Sequence, residues 1–194
     1  SLEGARHCLA APVEGIEIDV HLTADGHVVA YHDYRIAPDS SRLDGAFLDA
    51  PGPRLRDASL AELRRYDLGR YRPGSRAAEG HPQVQGMDGV VMPTLPELLS
   101  LLAAAPGPRR WLFVEIKTEP YEKRASADPL ALTEAVLRDL DAAGWTDRTK
   151  IIAFDWWVLR HLRTTRPEIL TAHLTIPTSL QARIRRLPDG ASPW

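Results

Sequence analysis

The stretch "GIEIDVHLTADGHVVAYHD", Gly15–Asp33, decides how this chain is read. Apolar and polar residues alternate through "IEIDVHL", the run breaks at the turn dipeptide Asp25-Gly26, and "HVVAYHD" resumes as a second strand-former. Two residues are too few for a parallel crossover, which needs about a dozen, so the second run must fold back antiparallel on the first. With Asp25 and Gly26 as a type I′ loop, the expected register sets Ala24 against His27, Leu22 against Val29 and Asp19 against His32. Directly opposed Cβ atoms lie ~4.5–5.5 Å apart, and Glu17 shares their face because side chains alternate with period two. Two carboxylates and an imidazole are expected to meet at one spot.

Outward from this hairpin, strands alternate with helices. A short helical run precedes Pro12, and the first strand spans Ile16–Leu22, the second Val28–His32. The stretch from Tyr34 to Met92 is rich in Pro, Gly and Arg, holds one short helix opened by the capping box Ser59-Leu-Ala-Glu62, and reads as an insertion or lid. A second capping box, Thr94-Leu-Pro-Glu97, starts the helix "LPELLSLLAAA", which stops at Pro106-Gly107. The strand "WLFVEIK", Trp111–Lys117, places Trp111, Phe113, Glu115 and Lys117 on one face, with its charges only at the C-terminal end. In parallel α/β sheets and barrels that is the end where ligands bind. Asp128-Pro129 reads as N-cap and first helical residue of a helix with the apolar stripe Leu132, Val136 and Leu140, ended by Gly144. Strand "KIIAF", a helix from Asp155 and strand "LTAHL" follow. The pattern predicts an α/β fold with a parallel sheet, four parallel strands in all.

Composition narrows the function classes. The chain has 194 residues, 44% hydrophobic and 26% charged, enough for one sizeable core and unlike a disordered chain. A net charge of −2 provides no footprint for nucleic acid. Cys8 is the only cysteine, which excludes an intrachain disulfide and a thiolate metal cluster. No apolar run reaches the ~18 residues of a transmembrane helix and no leader opens the chain, so stable membrane insertion is not expected. That pattern fits a cytoplasmic protein, or a mature exported one whose leader has been removed. Nothing in it assigns an oligomeric state.

Three carboxylates from two strands, Glu17, Asp19 and Glu115, with no cysteine beside them, suit one hard divalent cation held by oxygen, Mg²⁺ or Ca²⁺ rather than Zn²⁺. Each acid taken singly would read as a solvated edge residue; the convergence is what makes a site. His32 joins them through its expected place opposite Asp19. His7, His21, His27, His81, His161 and His173 have no comparable setting and read as structural or solvated, while Trp156-Trp157 and the Leu-rich helix are expected to pack the core.

In order along the chain, "GIEIDVHLTADGHVVAYHD", "LAELRRYDLGRYRPGS", "TLPELL", "LFVEIK" and "IIAFDWWVLRHLR" resemble the glycerophosphodiester phosphodiesterase family. The resemblance implies a TIM (β/α)8 barrel of the phosphatidylinositol-phospholipase-C-like phosphodiesterase type with an insertion after the hairpin. It places Glu17, Asp19 and Glu115 on metal-ligand positions, His32 on the second catalytic histidine, and Lys117 on a basic residue near the phosphate. It further implies a small-molecule glycerophosphodiester substrate, hydrolysed to glycerol 3-phosphate and an alcohol, with His32 as acid toward the leaving alcohol and the first histidine as base.

The chain also departs from that pattern. Family members open with a strand ending in His-Arg-Gly and then Pro-Glu-Asn, whereas "SLEGARHC" reads as the first helix already under way. "DGASPW" comes before the remaining barrel strands would appear, and Ala153 replaces a usual small polar residue. The expectation is one domain over residues 1–194, incomplete at both ends, with the insertion at about 34–92. Two alternatives stand beside the hydrolase: a non-catalytic phosphodiester- or metal-binding homologue lacking the first histidine, and a phospholipase D-like enzyme, whose disulfide-bearing loop has no counterpart in "HDYRIAPDSS".

Overall fold

A computed structural model describes residues 1–107, 109–119 and 124–175; the closing "DGASPW" lies outside them. The elements are α1 (Leu2–Leu9), β1 (Gly15–Leu22), β2 (Val28–Ala30), β3 (Arg42–Leu43), β4 (Ala46–Phe47), α2 (Leu60–Leu63), β5 (Tyr66–Asp67), α3 (Arg76–Gly80), α4 (Leu95–Ala104), β6 (Trp111–Ile116), α5 (Pro129–Ala143), β7 (Thr149–Ala153), α6 (Trp156–Thr165) and β8 (Leu170–His173). Both capping boxes form: Ser59 and Thr94 accept from the backbone N–H of Glu62 and Glu97, whose carboxylates reach back. Asp128 caps α5 by accepting from the N–H groups of Leu130 and Ala131, with Pro129 in the first turn, and Gly144 ends the helix at φ +65°. There a residue with a Cβ would be strained.

The main sheet has strand order β2-β1-β6-β7-β8, with β1, β6, β7 and β8 parallel and β2 antiparallel at the edge. One face is dry. Val20, Leu112, Val114, Ile116, Ile151 and Ala153 bury themselves against Leu95 and Leu99 of α4, Leu132, Val136 and Leu140 of α5, and Val158, Leu159 and Leu162 of α6. Period-two alternation turns Glu17, Asp19, His21, Phe113 and Glu115 to the other face. A parallel sheet backed by helices on one face alone is the wall of a barrel rather than a doubly wound sheet, which is covered on both.

The hairpin departs from its expected register by one residue. Val20 pairs with Ala30, His21 with Val29 and Leu22 with Val28, and the Tyr31 N–H donates to the Asp19 carbonyl, so Asp19 lies opposite Tyr31 and not His32. The loop has three residues, Ala24, Asp25 and Gly26. Gly26 N–H donates to the Thr23 carbonyl, and Gly26 then takes φ +81° before Thr23 and His27 pair. That is a type I turn followed by a left-handed glycine. It is favoured here by Thr23, whose hydroxyl accepts from the His27 N–H at 2.9 Å and donates to Asp25 at 2.6 Å. The ladder ends at Ala30, short of the His32 end expected from sequence.

The stretch between β2 and α4 carries a three-stranded sheet, order β4-β3-β5, over its own apolar cluster of Ile36, Leu55, Ala58, Leu63 and Met92, joined by Val29. It is moored at the C-terminal end of the parallel strands. The Tyr34 hydroxyl donates to the Thr118 carbonyl at 2.8 Å and the Arg56 guanidinium to the Ser126 carbonyl at 2.6 Å. Trp156 and Trp157, expected in the core, are instead 50% and 64% exposed. They occupy the first turn of α6, whose buried stripe is Val158, Leu159 and Leu162, and Arg160 lies over the Trp157 ring.

Helix α5 allows a paired test of this packing. Leu132 is fully buried whereas Leu130 is 43% exposed. Leu132→Ala should cost about 2–5 kcal/mol by urea unfolding, Leu130→Ala under ~0.5 kcal/mol. Equal losses would contradict the face assignment.

Candidate metal and phosphate site

Strands β1 and β6 pair in parallel with Asp19 beside Glu115 and Glu17 beside Phe113. Adjacent positions on one face of a sheet set the two carboxyls side by side, and Glu17, one layer below, completes a trio. One oxygen of each of Glu17, Asp19 and Glu115 lies within 4.8 Å of the others. Asp19 and Glu115 are largely buried, and Glu17 is exposed at the margin. Just past β6, the Lys117 ammonium lies 3.2 Å from Asp19 Oδ1 and 3.1 Å from Glu115 Oε1. All four residues proposed from sequence for metal and phosphate therefore come together.

The electrostatics show what the cluster lacks. Glu17 keeps its outer edge in solvent, yet partial desolvation raises its carboxyl above the usual range, and the neighbouring charges of Asp19 and Glu115 add to it. Burial also raises Glu115, and its contact with Asp19 adds to this, while Lys117 opposes it. Burial would lower Lys117, but Asp19 and Glu115 outweigh it and hold the ammonium above its ordinary value. Lys117 offsets only one of three carboxylate charges. An all-oxygen trio with uncompensated negative charge fits a divalent cation of the Mg²⁺ or Ca²⁺ type.

The raised carboxyls give a pH prediction. Protons bind Glu17 and Glu115 at higher pH than ordinary glutamates, so cation affinity should fall as pH drops from 7.5 toward 5, and binding at the lower pH should release protons. A carboxyl raised on folding is protonated more readily in the folded state, so without cation this pair favours folding as pH falls through its folded pKa. Calorimetric titration with Mg²⁺ and Ca²⁺ at both pH values, in buffers of different ionisation enthalpy, checks it. Affinity that is independent of pH would count against these carboxyls as ligands.

His32 is not opposite Asp19, yet it stays at the rim. Its side chain is exposed, Nδ1 lies 2.8 Å from Asp33 Oδ1, and its charge is near enough to Glu17 to lower that carboxyl slightly. A carboxylate only accepts, so Nδ1 carries the proton of that bond.

Sequence reasoning passed over three neighbours. His21 follows Asp19 on the same face of β1 and is 3% exposed; burial lowers its imidazole to about 4, against the opposing pull of the His32 carbonyl. Tyr34 crosses the His21 ring edge-on with centroids 5.3 Å apart, and burial, followed by Glu119, Glu115 and Asp19, raises its phenol and keeps it a donor. Thr118 donates to Asp155, the N-cap of α6, at 3.3 Å. The signal for His21 was present, since period two puts it in line with Glu17 and Asp19.

Comparison with known proteins follows the same lines. No curated protein matches this chain. Among solved structures it is similar to a Silicibacter pomeroyi DSS-3 protein that carries the glycerophosphoryl diester phosphodiesterase name provisionally, at 29% identity and TM-score 0.84, over 96% of this chain and 63% of that one. It is similar in fold to an Oleispira antarctica phosphodiesterase solved with the product sn-glycerol-3-phosphate, at 20% identity and TM-score 0.63, over 96% of this chain and 65% of that one. The same holds for a Thermotoga maritima glycerophosphodiester phosphodiesterase, at 20% identity and TM-score 0.54, over 98% and 63%. The chain thus spans less than two thirds of each of these structures. The sheet belongs to an α/β TIM barrel, which the described strands do not close among themselves. No helix among the described residues is long and apolar enough to cross a membrane. The sequence profile of the glycerophosphoryl diester phosphodiesterase family matches residues 1–188, and the chain belongs to that family.

Proposed function

We propose that the protein hydrolyses small glycerophosphodiesters to glycerol 3-phosphate and an alcohol. The observation that carries this reading is the meeting of Glu17, Asp19, Glu115 and Lys117 at the ligand-binding end of a barrel sheet in a chain of this family. The Oleispira antarctica structure with sn-glycerol-3-phosphate, in the same fold, agrees with that product.

A phosphodiester is an anion, and attack on phosphorus adds charge to its oxygens. Glu17, Asp19 and Glu115 would hold one divalent cation, Mg²⁺ or Ca²⁺, which when bound supplies charge neutralisation at phosphate oxygen. Lys117, held just past β6 against the same carboxylates, would offer its ammonium to one non-bridging phosphate oxygen, where it is worth most as the transition state gains charge. His32 would hold a proton at Nε2 for the departing alkoxide, with Asp33 orienting the ring through Nδ1. The insertion, moored over this end through Tyr34 and Arg56, borders the place where the alcohol portion would lie.

Incubation with glycerophosphocholine and Mg²⁺ or Ca²⁺, followed by enzymatic assay of glycerol 3-phosphate, tests the proposal. Turnover that stops on chelation is expected. Cation binding without turnover on any glycerophosphodiester would instead favour a binding protein.

A further inference from the structure

We infer that His21 is a positioning residue for His32, a role that rests on the phosphodiesterase reading above and goes beyond it. His32 lies past the end of β2, so no ladder hydrogen bond orders its peptide. Its carbonyl instead faces the His21 Nε2 at 3.4 Å, and His21 is rooted in β1, the strand that presents Glu17 and Asp19. One strand therefore holds two of the three carboxylates, Glu17 and Asp19, and also the backbone of the candidate acid, which fixes the distance between them.

The contact has a defined direction. A carbonyl can only accept, so Nε2 carries the proton and Nδ1 is bare. At 3.4 Å the bond is long, and its value lies in being shielded: His21 is 3% exposed, with the Tyr34 ring crossing it edge-on. Tyr34 is in turn fastened to the Thr118 carbonyl at 2.8 Å, directly after Lys117, while the Tyr31 N–H holds the Asp19 carbonyl at 3.1 Å. The segment Tyr31–Tyr34 is thus tied at three of its four residues, Tyr31, His32 and Tyr34, to β1 and to the end of β6. Displacing a reacting group by about 1 Å can cost on the order of 100-fold in rate, so a tie of this kind acts on kcat through placement alone.

The test compares His21→Phe, which keeps a ring against Tyr34 and removes the donor, with His21→Gln, which restores one. His21→Phe should lower kcat on glycerophosphocholine on the order of 10- to 100-fold with little change in KM, cation affinity or melting temperature. It should affect a nitrophenyl diester much less, because that leaving group needs no proton. His21→Gln should recover most of the loss. Nitrogen-15 spectra of the unmodified protein supply a readout independent of any variant: His21 should be the Nε2–H tautomer. An Nδ1–H tautomer overturns the inference, as do equal losses on both substrates for His21→Phe, or no rescue by His21→Gln. If His32→Ala shows the leaving-group split and His21→Phe does not, the inference falls and the phosphodiesterase reading stands. If wild-type protein turns over neither substrate, both fall together.

Discussion

Glu115→Gln is expected to weaken Mg²⁺ or Ca²⁺ binding by at least about 100-fold and to depress hydrolysis of every phosphodiester in step. Residues that merely orient metal ligands are worth ~10–100-fold in affinity, so the loss of a direct oxygen donor should exceed that range. The substitution keeps size and shape while removing one charge of the trio, and it leaves Lys117 with Asp19 as its remaining close carboxylate. The effect should be indifferent to the leaving group, since phosphate charge must be neutralised whichever alcohol departs. Stability separates this from simple damage. Burial and neighbouring charge raise the carboxyl of Glu115, so its ionised form opposes folding when no cation is bound. The variant should therefore melt no lower than wild type without cation, yet gain little when Mg²⁺ or Ca²⁺ is added. Unchanged cation affinity in Glu115→Gln would remove this residue from the site. A variant that melts far lower in chelator would mean that Glu115 supports the fold through Lys117 instead.

The parts legible in sequence were those governed by short-range chemistry. The capping boxes at Ser59 and Thr94, the Asp128 cap, the Gly144 stop and the faces of β6 all depend on neighbours a few residues apart, and each stands where local rules put it. The convergence of Glu17, Asp19 and Glu115 was legible because period two is rigid within a strand and because charge at the C-terminal end of an otherwise apolar strand is costly without a reason. The hairpin register was misread for an equally local cause. Thr23 and Asp25 stabilise a three-residue loop that a two-residue reading of Asp25-Gly26 overlooks, and a slip of one residue moves His32 away from Asp19. Tyr34 was illegible as a site residue because its meaning comes from a partner far along the chain, the Thr118 carbonyl, whereas period two already set His21 on the face of Glu17 and Asp19. Trp156 and Trp157 misled by composition: large aromatic residues usually pack, but here Val158, Leu159 and Leu162 already fill the inner stripe of α6.

His32→Ala should divide substrates by how badly their leaving groups need a proton. Glycerophosphocholine releases an alkoxide, a strongly basic group, and loss of a general acid there costs on the order of 10²–10⁴-fold. A nitrophenyl diester that still offers the glycerol hydroxyl releases a stable phenolate and should retain much of its rate. Fold damage is not a natural explanation for a large loss, because the His32 side chain is exposed and, among the described residues, its close polar partner is the neighbouring Asp33. Cation affinity should also be nearly unchanged, which sets this variant apart from Glu115→Gln. Asp33→Asn provides a graded version. It keeps a hydrogen-bond acceptor for Nδ1 but replaces a charge-assisted bond with a weaker neutral one, so the rate on the alkyl substrate should fall less than in His32→Ala, with the nitrophenyl diester again spared. Equal losses on both substrates for His32→Ala would assign His32 to the attacking side of the reaction, or to holding the loop, rather than to the leaving alcohol.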